Sequence, residues 1–354
     1  MSFSFLAREA GRVHVCGHRG YSLVCPENTM PAMAAAKASG ATTIEIDVVL
    51  TADGEPIVLH DRTLDRSTNG QGFAADLSLE QIRSLDAGAG FNARFAGTRV
   101  PTLAEAVDWA KREEMGVFVE IKEAERPDLA VDRVAALLEA TGAFDRVLVI
   151  GFDHIVLKRA VEHHPGIKTQ AITHARHADI LGVLRACGAG SLSIELDMFH
   201  PHDAKALHDA GVSNRLNLPR PERLPAYRQG RRDIITCLEE WIAEGLIDTI
   251  SGDDVPFLAK LVERCRRGRQ PVAVSALSLA FPCLPKGRIS RAPKFSTCWW
   301  LAVALMASGS PAMPPDVAFR CGWSKRAISP RLPLQLRASS SMAGCATSSM
   351  GRSD

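Results

Sequence analysis

Short apolar runs alternate with longer amphipathic stretches along most of the sequence, from residue 13 to about residue 266. In the amphipathic stretches the apolar residues recur every three to four positions, which is the period of a helix with one buried face. This alternation is typical of a parallel sheet whose strands are joined by crossover helices. The predicted strands are 13–17, 43–50, 116–122, 146–151, 167–172, 191–196, 211–218 and 247–251. The predicted helices are 30–39, 103–114, 127–141, 153–163, 177–186, 202–209, 236–245 and 254–266.

Eight strand–helix units in succession predict a closed (β/α)8 TIM barrel of the α/β class. The alternative is a doubly wound open sheet, which usually has fewer strands and often a glycine-rich first turn that this sequence lacks. After the second strand the chain turns at Asp53-Gly54, returns through 55–61 and continues to Pro101 before the next helix. We therefore predict an insertion over about 61–101, placed where barrel loops build active sites, as a lid or substrate wall.

The composition changes sharply near residue 268. The whole chain of 354 residues carries a net charge of +2, but residues 269–354 hold eight arginines and three lysines against two aspartates. That segment carries +9, so residues 1–268 carry −7, and an acidic body does not indicate a nucleic-acid partner. Residues 269–354 also contain no glutamate and no lasting periodicity. We predict that the barrel occupies 1–268 and that 269–354 is a disordered basic tail, an out-of-frame or degenerate extension.

Cysteine usage and the N-terminus bear on the cellular compartment. The nine cysteines form no C-x-x-C pair, and the first residues contain no apolar secretory segment. Both features indicate reduced thiols in a cytoplasmic protein. No apolar run approaches the length of about 20 residues that a membrane helix needs, so we expect no stable membrane insertion. The oligomeric state is left open by the sequence.

Three carboxylates lie at matching positions on neighbouring predicted strands. Glu45 and Asp47 are two positions apart on the second strand, so both side chains take the same face. Glu120 and Lys122 repeat this spacing on the third strand. Convergent carboxylates repel one another unless a cation lies among them, and hard oxygen ligands favour Mg²⁺ or Ca²⁺. Buried salt bridges to arginine and lysine are the alternative on spacing alone.

Two histidines fall at strand ends where catalytic groups gather in a barrel. His18 and Arg19 follow the first strand, and His60 follows the return strand of the hairpin. An imidazole titrates near neutral pH and can donate or accept a proton, so two of them suit acid/base chemistry. A structural role at a strand end is the alternative for each histidine alone. Arg19 and Lys122 add two cations, which suit an anionic substrate group such as phosphate.

The sequence around these residues contains several motifs in a characteristic order. They are HRGYSLVCPENT (18–29), E-x-D and H-D-x-T-L-D-R-S-T within 40–72, VPTLAEAV (100–107) and VEIK (119–122). Together they closely resemble the glycerophosphodiester phosphodiesterase family, over about residues 13–266. The resemblance implies metal-dependent hydrolysis of a small glycerophosphodiester to an alcohol and glycerol 3-phosphate.

The resemblance also implies a role for each motif residue. It implies that one divalent cation binds Glu45, Asp47 and Glu120, that His18 and His60 are the acid/base pair, and that Arg19 and Lys122 contact the phosphate. Glu27 and Asn28 would brace the first loop. In the seventh strand the family commonly carries a tryptophan, whereas 213–220 reads SNRLNLPR. The eighth unit resembles the family again, with Asp254 near an expected acidic position.

Two other functions stay open. A lysophospholipase D or a sphingomyelinase-D-like barrel phosphodiesterase would share the metal and histidine arrangement, and a hydrophobic groove over the insertion would favour it. An inactive or unstable product, acting at most as a binding protein, is the alternative of a different class, because the seventh strand and the tail depart from the family pattern. His200, His202 and Asp203 could indicate a metal site, but their place at a helix start favours capping.

Overall fold

The computed structural model describes residues 3–266, in which eight parallel strands close into a barrel. In chain order the strands are β1 (His14–His18), β2 (Thr43–Leu50), β3 (Pro56–Val58), β4 (Gly116–Ile121), β5 (Val147–Gly151), β6 (Lys168–Thr173), β7 (Ser191–Glu195), β8 (Ser213–Asn217), β9 (Arg228–Gln229), β10 (Arg232–Asp233) and β11 (Thr249–Gly252). β3 pairs antiparallel with β2, and β9 with β10. The ring closes because β1 pairs in parallel with both β11 and β2. The predicted (β/α)8 barrel is confirmed.

The helices lie between the strands and cover the outside of the barrel. They are α1 (Ala7–Ala10), α2 (Met30–Ala38), α3 (Leu79–Arg83), α4 (Leu103–Arg112), α5 (Pro127–Thr141), α6 (His154–His163), α7 (Ile180–Cys187), α8 (Pro201–Asp209), α9 (Ile234–Ala243) and α10 (Val255–Arg266). Short 3₁₀ helices span Ala74–Asp76, Ala93–Phe95 and Pro221–Ala226. Every predicted helix is present with bounds shifted by at most a few residues, because a buried helical face is a strong periodic signal.

The strand residues alternate between two packing environments, as the period of two requires. Ile44, Ile46 and Val48 face the helices in the main hydrophobic core. The inside of the barrel is divided into an apolar and a polar part. Its apolar part is a cluster formed by Phe5, Cys16, Phe118, Leu148, Ile150 and Ile172. Its polar part comes from β6, β7 and β8, whose buried side chains include Gln170, Ser191, Ser193, Ser213 and Arg215.

The hairpin and the predicted insertion follow β2 as expected. The chain turns at Gly54, whose φ of 77° is left-handed, and β3 returns beside β2. Residues 61–101 then build a small hydrophobic core of their own against the hairpin. That core contains Val49, Ile57, Leu59, Leu64, Ala74, Ile82, Ala87 and Val100. The insertion is therefore a packed substructure with its own buried apolar side chains.

Two further expectations concern cysteines and membranes. Cys16, Cys25, Cys187, Cys237 and Cys265, which lie in the described part of the chain, are free thiols. Among residues 3–266, no helix combines the length and the apolar character that crossing a membrane requires. The predicted tail, 269–354, lies outside the described residues, and the cytoplasmic location stays a prediction.

The domain boundary near residue 268 can be tested by truncation. All eight barrel strands and α10 lie within residues 3–266, so we expect a chain ending at Gly268 to fold by itself. Its far-ultraviolet circular dichroism and melting temperature should match those of the full chain, and it should be at least as soluble. A truncated chain that is unfolded, or that melts well below the full chain, would show that the boundary lies further along the sequence.

Candidate active site

Six of the seven predicted site residues line one open pocket of about 640 Å³ at the carboxyl ends of the barrel strands. These six are His18, Arg19, Glu45, His60, Glu120 and Lys122. The seventh, Asp47, is buried and contacts Arg19 and Lys122. The structure therefore brings all seven residues to one mouth of the barrel. Among the described residues, the apolar lining is confined to Phe152, Ile172, Leu218 and Pro219.

The three predicted metal ligands form a tight carboxylate cluster. One ligand atom from each of Glu45, Asp47 and Glu120 lies within 4.8 Å of the others, and all three side chains are buried. Burial and the adjacent charge of Asp47 raise the pKa of Glu45 to about 7. Without a cation, one carboxyl of the cluster is thus only partly ionised at neutral pH.

The cluster fits a hard divalent cation by the chemistry of its donor atoms. Asp47 Oδ1 is buried and accepts no hydrogen bond, and Lys122 Nζ lies 3.6 Å from it. The Asn28 side-chain amide donates to Asp47 Oδ2 over 2.8 Å. A buried carboxylate oxygen without a hydrogen bond is costly unless a cation approaches it. Carboxylate oxygens are the ligands that Mg²⁺ and Ca²⁺ prefer. Glu45, Asp47 and Glu120 could therefore hold such an ion together.

Two cations lie against the carboxylates. Arg19 Nε is 3.3 Å from Asp47 Oδ2, and Lys122 Nζ is 2.5 Å from Glu120 Oε1. Burial opposes the charge on Lys122, but Glu120 and Asp47 outweigh it and raise the pKa of Lys122. The salt bridges considered from the sequence are therefore present. They neutralise only part of the cluster, since two cations face three carboxylates.

The H-R-G motif forms a tight turn that presents a backbone amide to the cluster. Arg19 and Gly20 have positive φ angles of 56° and 80°. A Cβ on Gly20 would lie 2.6 Å from the backbone of Ala32 in α2, so only glycine fits there. In this conformation the Arg19 N–H donates to Glu45 Oε2 over 3.0 Å. The motif thus holds a metal-ligand candidate in place through the backbone.

Each histidine has a carboxylate at Nδ1. His18 Nδ1 is 2.9 Å from Asp253 Oδ1, and His60 Nδ1 is 2.6 Å from Asp61 Oδ1. A carboxylate at one ring nitrogen sets the tautomer and orients the ring, so the other nitrogen is presented to the site. His18 Nε2 is 4.0 Å from Glu45 Oε2, which places this histidine beside the carboxylate cluster.

Charge around the two histidines stabilises their carboxylate partners. The hydrogen bond from His18, helped by Arg220, lowers the pKa of Asp253 to about 2. The hydrogen bond from Arg66 does the same for Asp61, whose pKa is also about 2. Burial opposes the charge on His18, but the hydrogen bond to Asp253 and the charge of Glu45 outweigh it, so the pKa of His18 is raised. Both aspartates therefore remain ionised at neutral pH.

Sequence reasoning missed the residues that support the site from other segments. Asp254 lies near the acidic position of the family pattern, but its carboxylate accepts from the Phe257 N–H at the start of α10, and Asp253 faces His18. Arg66 is bidentate to Glu27 and also bonds Asp61, so it joins the first loop to the hairpin end. A carboxylate directly after a strand, as in Gly252-Asp253, is the sequence signal that could have identified Asp253.

Two other sequence expectations concern the insertion and the region before α8. No residue of 61–101 lines the pocket in the described chain, so a lid or substrate wall formed by the insertion stays a prediction. The insertion acts on the site through Asp61 and Arg66, which hold His60 and Glu27. His200 accepts from the His202 N–H at the start of α8, in line with the capping interpretation.

Comparisons with known proteins match this arrangement to one family. A model of the glycerophosphoryl diester phosphodiesterase family matches residues 18–246. A glycerophosphodiester phosphodiesterase of Caldanaerobacter subterraneus subsp. tengcongensis is 38% identical over 176 residues, which cover 49% of this chain and 67% of that protein. Glycerophosphodiester phosphodiesterase 1 of Mus musculus is 42% identical over 113 residues, which cover 31% of this chain and 34% of that protein. The match therefore spans most of the bacterial relative but a minority of the mouse relative.

Solved structures share the fold. A phosphodiesterase of Oleispira antarctica in complex with the product sn-glycerol-3-phosphate superposes with a TM-score of 0.60 at 22% identity, over 72% of this chain and 98% of that one. A glycerophosphodiester phosphodiesterase of Agrobacterium tumefaciens superposes with a TM-score of 0.56 at 27% identity, over 70% of this chain and 99% of that one. The Oleispira structure, at 22% identity, shows similarity of fold, and that fold agrees with the barrel described above.

Cation binding to the carboxylate cluster can be measured without any assay of activity. We expect Mg²⁺ or Ca²⁺ to raise the melting temperature, because a ligand that binds only the folded state stabilises it, by about 2.7 kcal/mol at 100 times its dissociation constant. The Asp47→Asn and Glu120→Gln variants should lose most of this rise. Glu195→Gln is the matched control, since Glu195 lines the same pocket outside the cluster. An equal rise in all the proteins would place the cation elsewhere.

Proposed function

Because the chain belongs to the glycerophosphoryl diester phosphodiesterase family, we propose that it hydrolyses a small glycerophosphodiester to an alcohol and glycerol 3-phosphate. The observation that carries this proposal is the convergence of three carboxylates, two histidines and two cations on one pocket. The glycerophosphodiester phosphodiesterase of Caldanaerobacter and the glycerol 3-phosphate bound in the Oleispira structure support it.

The metal site is the first part of the proposal. Glu45, Asp47 and Glu120 would hold one divalent cation, Mg²⁺ or Ca²⁺, and the unbonded buried oxygen of Asp47 supports this assignment. When bound, the cation supplies positive charge that offsets the phosphate and makes a nucleophilic hydroxyl more acidic. Asn28 keeps Asp47 oriented through its side-chain amide, and the Arg19 N–H does so for Glu45.

Phosphate binding is assigned to Arg19 and Lys122. Both side chains line the pocket and contact the carboxylate cluster, so their charges lie where the phosphoryl group must approach. A guanidinium offers a planar fork that matches two phosphoryl oxygens, and an ammonium adds a compact charge beside it. Glu27 accepts from Arg19 over 3.0 Å and limits the positions that the guanidinium can take.

Proton transfer is assigned to the two histidines. His18, beside the carboxylate cluster, would take the proton from the attacking hydroxyl, supplied by water or by the glycerol of the substrate, as a new P–O bond forms. His60 would donate a proton to the alcohol oxygen as the other P–O bond breaks. When water attacks, this step gives glycerol 3-phosphate directly. When the glycerol hydroxyl attacks, it gives a cyclic phosphate, which a water molecule then opens to glycerol 3-phosphate. Asp253 and Asp61 hold the rings so that each Nε2 is available for this task.

The pocket lining favours a small polar substrate over a lipid with an acyl chain. Its described apolar residues are few, and none belongs to the insertion, where a hydrophobic groove was the feature expected of a lysophospholipase D or a sphingomyelinase-D-like enzyme. The inactive alternative is disfavoured because all seven site residues are retained and brought together. We therefore keep glycerophosphodiester hydrolysis as the proposed reaction.

The reaction and its metal dependence are tested by one assay. We expect the full chain to release glycerol 3-phosphate from at least one member of a panel of glycerophosphodiesters, measured by a coupled enzyme assay. Excess EDTA should abolish the release, and Mg²⁺ or Ca²⁺ should restore it. Glu45→Ala, Asp47→Ala and Glu120→Ala should each remove turnover while the circular dichroism spectrum stays folded. Full activity in excess EDTA would contradict the metal assignment.

The acid role of His60 is tested by the leaving group. His60→Ala should lower the rate on glycerophosphocholine by roughly 10²- to 10⁴-fold, the usual contribution of general acid catalysis. A nitrophenyl phosphodiester needs little protonation as its leaving group departs, so the same variant should lose much less rate on it. His18→Ala is the comparison, because loss of a base slows both substrates. Equal losses on both substrates for His60→Ala would rule out His60 as the acid.

A further inference from the structure

Arg215 is a buried charged residue of the pocket that neither the sequence motifs nor the proposed mechanism uses. It lies in the middle of β8, in the strand segment where the family resemblance implies a tryptophan. Its side chain is inside the barrel and only 3% of the residue is exposed, yet it lines the pocket that holds the carboxylate cluster. A guanidinium at this depth requires a physical explanation, because arginine is rarely buried unless it is paired.

A network of buried polar groups holds one side of the guanidinium. Arg215 Nε donates to Gln170 Oε1 over 2.9 Å, and the Gln170 amide donates to Ser191 Oγ over 2.8 Å. Ser191 is also bonded to Ser213, so the network joins β6, β7 and β8. The guanidinium carbon lies 4.7 Å from the centre of the Phe118 ring, a cation–π contact. These contacts orient the side chain before any ligand binds.

The other side of the guanidinium is free to bind a ligand. Within residues 3–266, neither terminal nitrogen of Arg215 makes a hydrogen bond, and neither is enclosed by protein. No carboxylate of the described chain lies within 4 Å of the guanidinium, which distinguishes Arg215 from Arg19 and Lys122. At longer range the charge of Arg215 acts on Glu45, where it opposes the rise in the pKa of that carboxyl. The two terminal nitrogens are therefore donors without an acceptor in the described protein, on a side chain that lines the pocket.

The charges of the site indicate what would bind there. A divalent cation together with Arg19 and Lys122 exceeds the three carboxylates by one positive charge, which equals the single negative charge of a phosphodiester. A phosphate monoester carries nearly two negative charges at neutral pH. Charge also increases on the phosphoryl oxygens as the nucleophile attacks. Arg215 adds a positive charge at the buried end of the pocket, and such a charge favours these more negative species.

We propose that Arg215 binds phosphoryl oxygens from the floor of the barrel and is a specificity-determining residue for the doubly charged phosphate. In this role it binds glycerol 3-phosphate and the transition state more strongly than it binds the diester. The proposal rests on the proposed function for the identity of the phosphate ester. Gln170 is the positioning residue, since its carbonyl oxygen holds the guanidinium with the terminal nitrogens toward the pocket.

A purely structural role is the competing explanation. In that case Arg215 would fill the barrel beside Phe118 and balance Glu45 without contacting the substrate. The two explanations differ in what they predict for ligands. A structural arginine affects the melting temperature and leaves the preference between diester and monoester unchanged, whereas a phosphate-binding arginine changes that preference.

The test measures binding of sn-glycerol 3-phosphate to the full chain by isothermal titration calorimetry in Mg²⁺, together with steady-state kinetics. Arg215→Met should weaken glycerol 3-phosphate binding by about 10- to 100-fold, the range for loss of charge-assisted hydrogen bonds. The same variant should also lower kcat for the diester. It should raise KM for the diester by a smaller factor than the one by which it weakens glycerol 3-phosphate binding. Arg223→Met is the control for loss of one charge at the exposed pocket rim, and it should weaken binding by less than about threefold.

A second variant keeps Arg215 and offsets its positive charge with a neighbouring carboxylate. Gln170→Glu places a carboxylate on Arg215 Nε without changing the size of the side chain, so it should weaken glycerol 3-phosphate binding even if Arg215→Met does not fold. Unchanged binding and product inhibition in the folded variants would overturn the proposal. If the wild type binds inorganic phosphate but hydrolyses no diester, and these variants bind inorganic phosphate more weakly, the anion site is supported and the proposed reaction is wrong.

Discussion

The concentration of three carboxylates in the buried mouth of the barrel is the constraint on which the rest of the site depends. Glu45, Asp47 and Glu120 come from two adjacent strands, and their oxygens are held within 4.8 Å of one another. Repulsion and loss of hydration make this arrangement costly by itself, as the raised pKa of Glu45 shows. The cluster persists because strand pairing is supported by the whole barrel, and because neighbouring groups donate to its oxygens.

The surrounding residues can be understood as responses to that charge. Arg19 and Lys122 neutralise part of it, and Asn28 donates to Asp47 from a left-handed backbone conformation, with a φ of 58°. The two histidines are also paired with carboxylates, because Asp253 and Asp61 each set the orientation of one ring. The site is thus a set of paired charges in which three carboxylates outnumber Arg19 and Lys122, the two side chains of fixed positive charge that lie within 4 Å of them in the described chain. A divalent cation is the simplest partner for that excess.

The inside of the barrel has an apolar side and a polar side, and the residues of the two sides have different roles. On the side of β1, β4 and β5, with Ile172 from β6, the interior is apolar. On the side of β6, β7 and β8 the interior is polar and supports Arg215 through Gln170 and the serines. A buried polar network is stable only when its members are satisfied. The two unbonded nitrogens of Arg215 are therefore where this network meets the pocket.

The sequence by itself determined the barrel and the mouth at which its polar residues meet. Helical and strand periods are local properties of the chain, and the alternation along each strand places Glu45 and Asp47 on one face whatever the rest of the fold does.

What only the tertiary structure decided are the contacts between segments that are far apart in sequence. Asp253 faces His18 whereas Asp254 begins a helix, and a difference of one residue is below the precision of any periodic signal. Arg215 is a pocket residue because Gln170 and Phe118, on two other strands, hold it there. Such contacts depend on the register in which the eight barrel strands pair, and no local pattern in the sequence records that register.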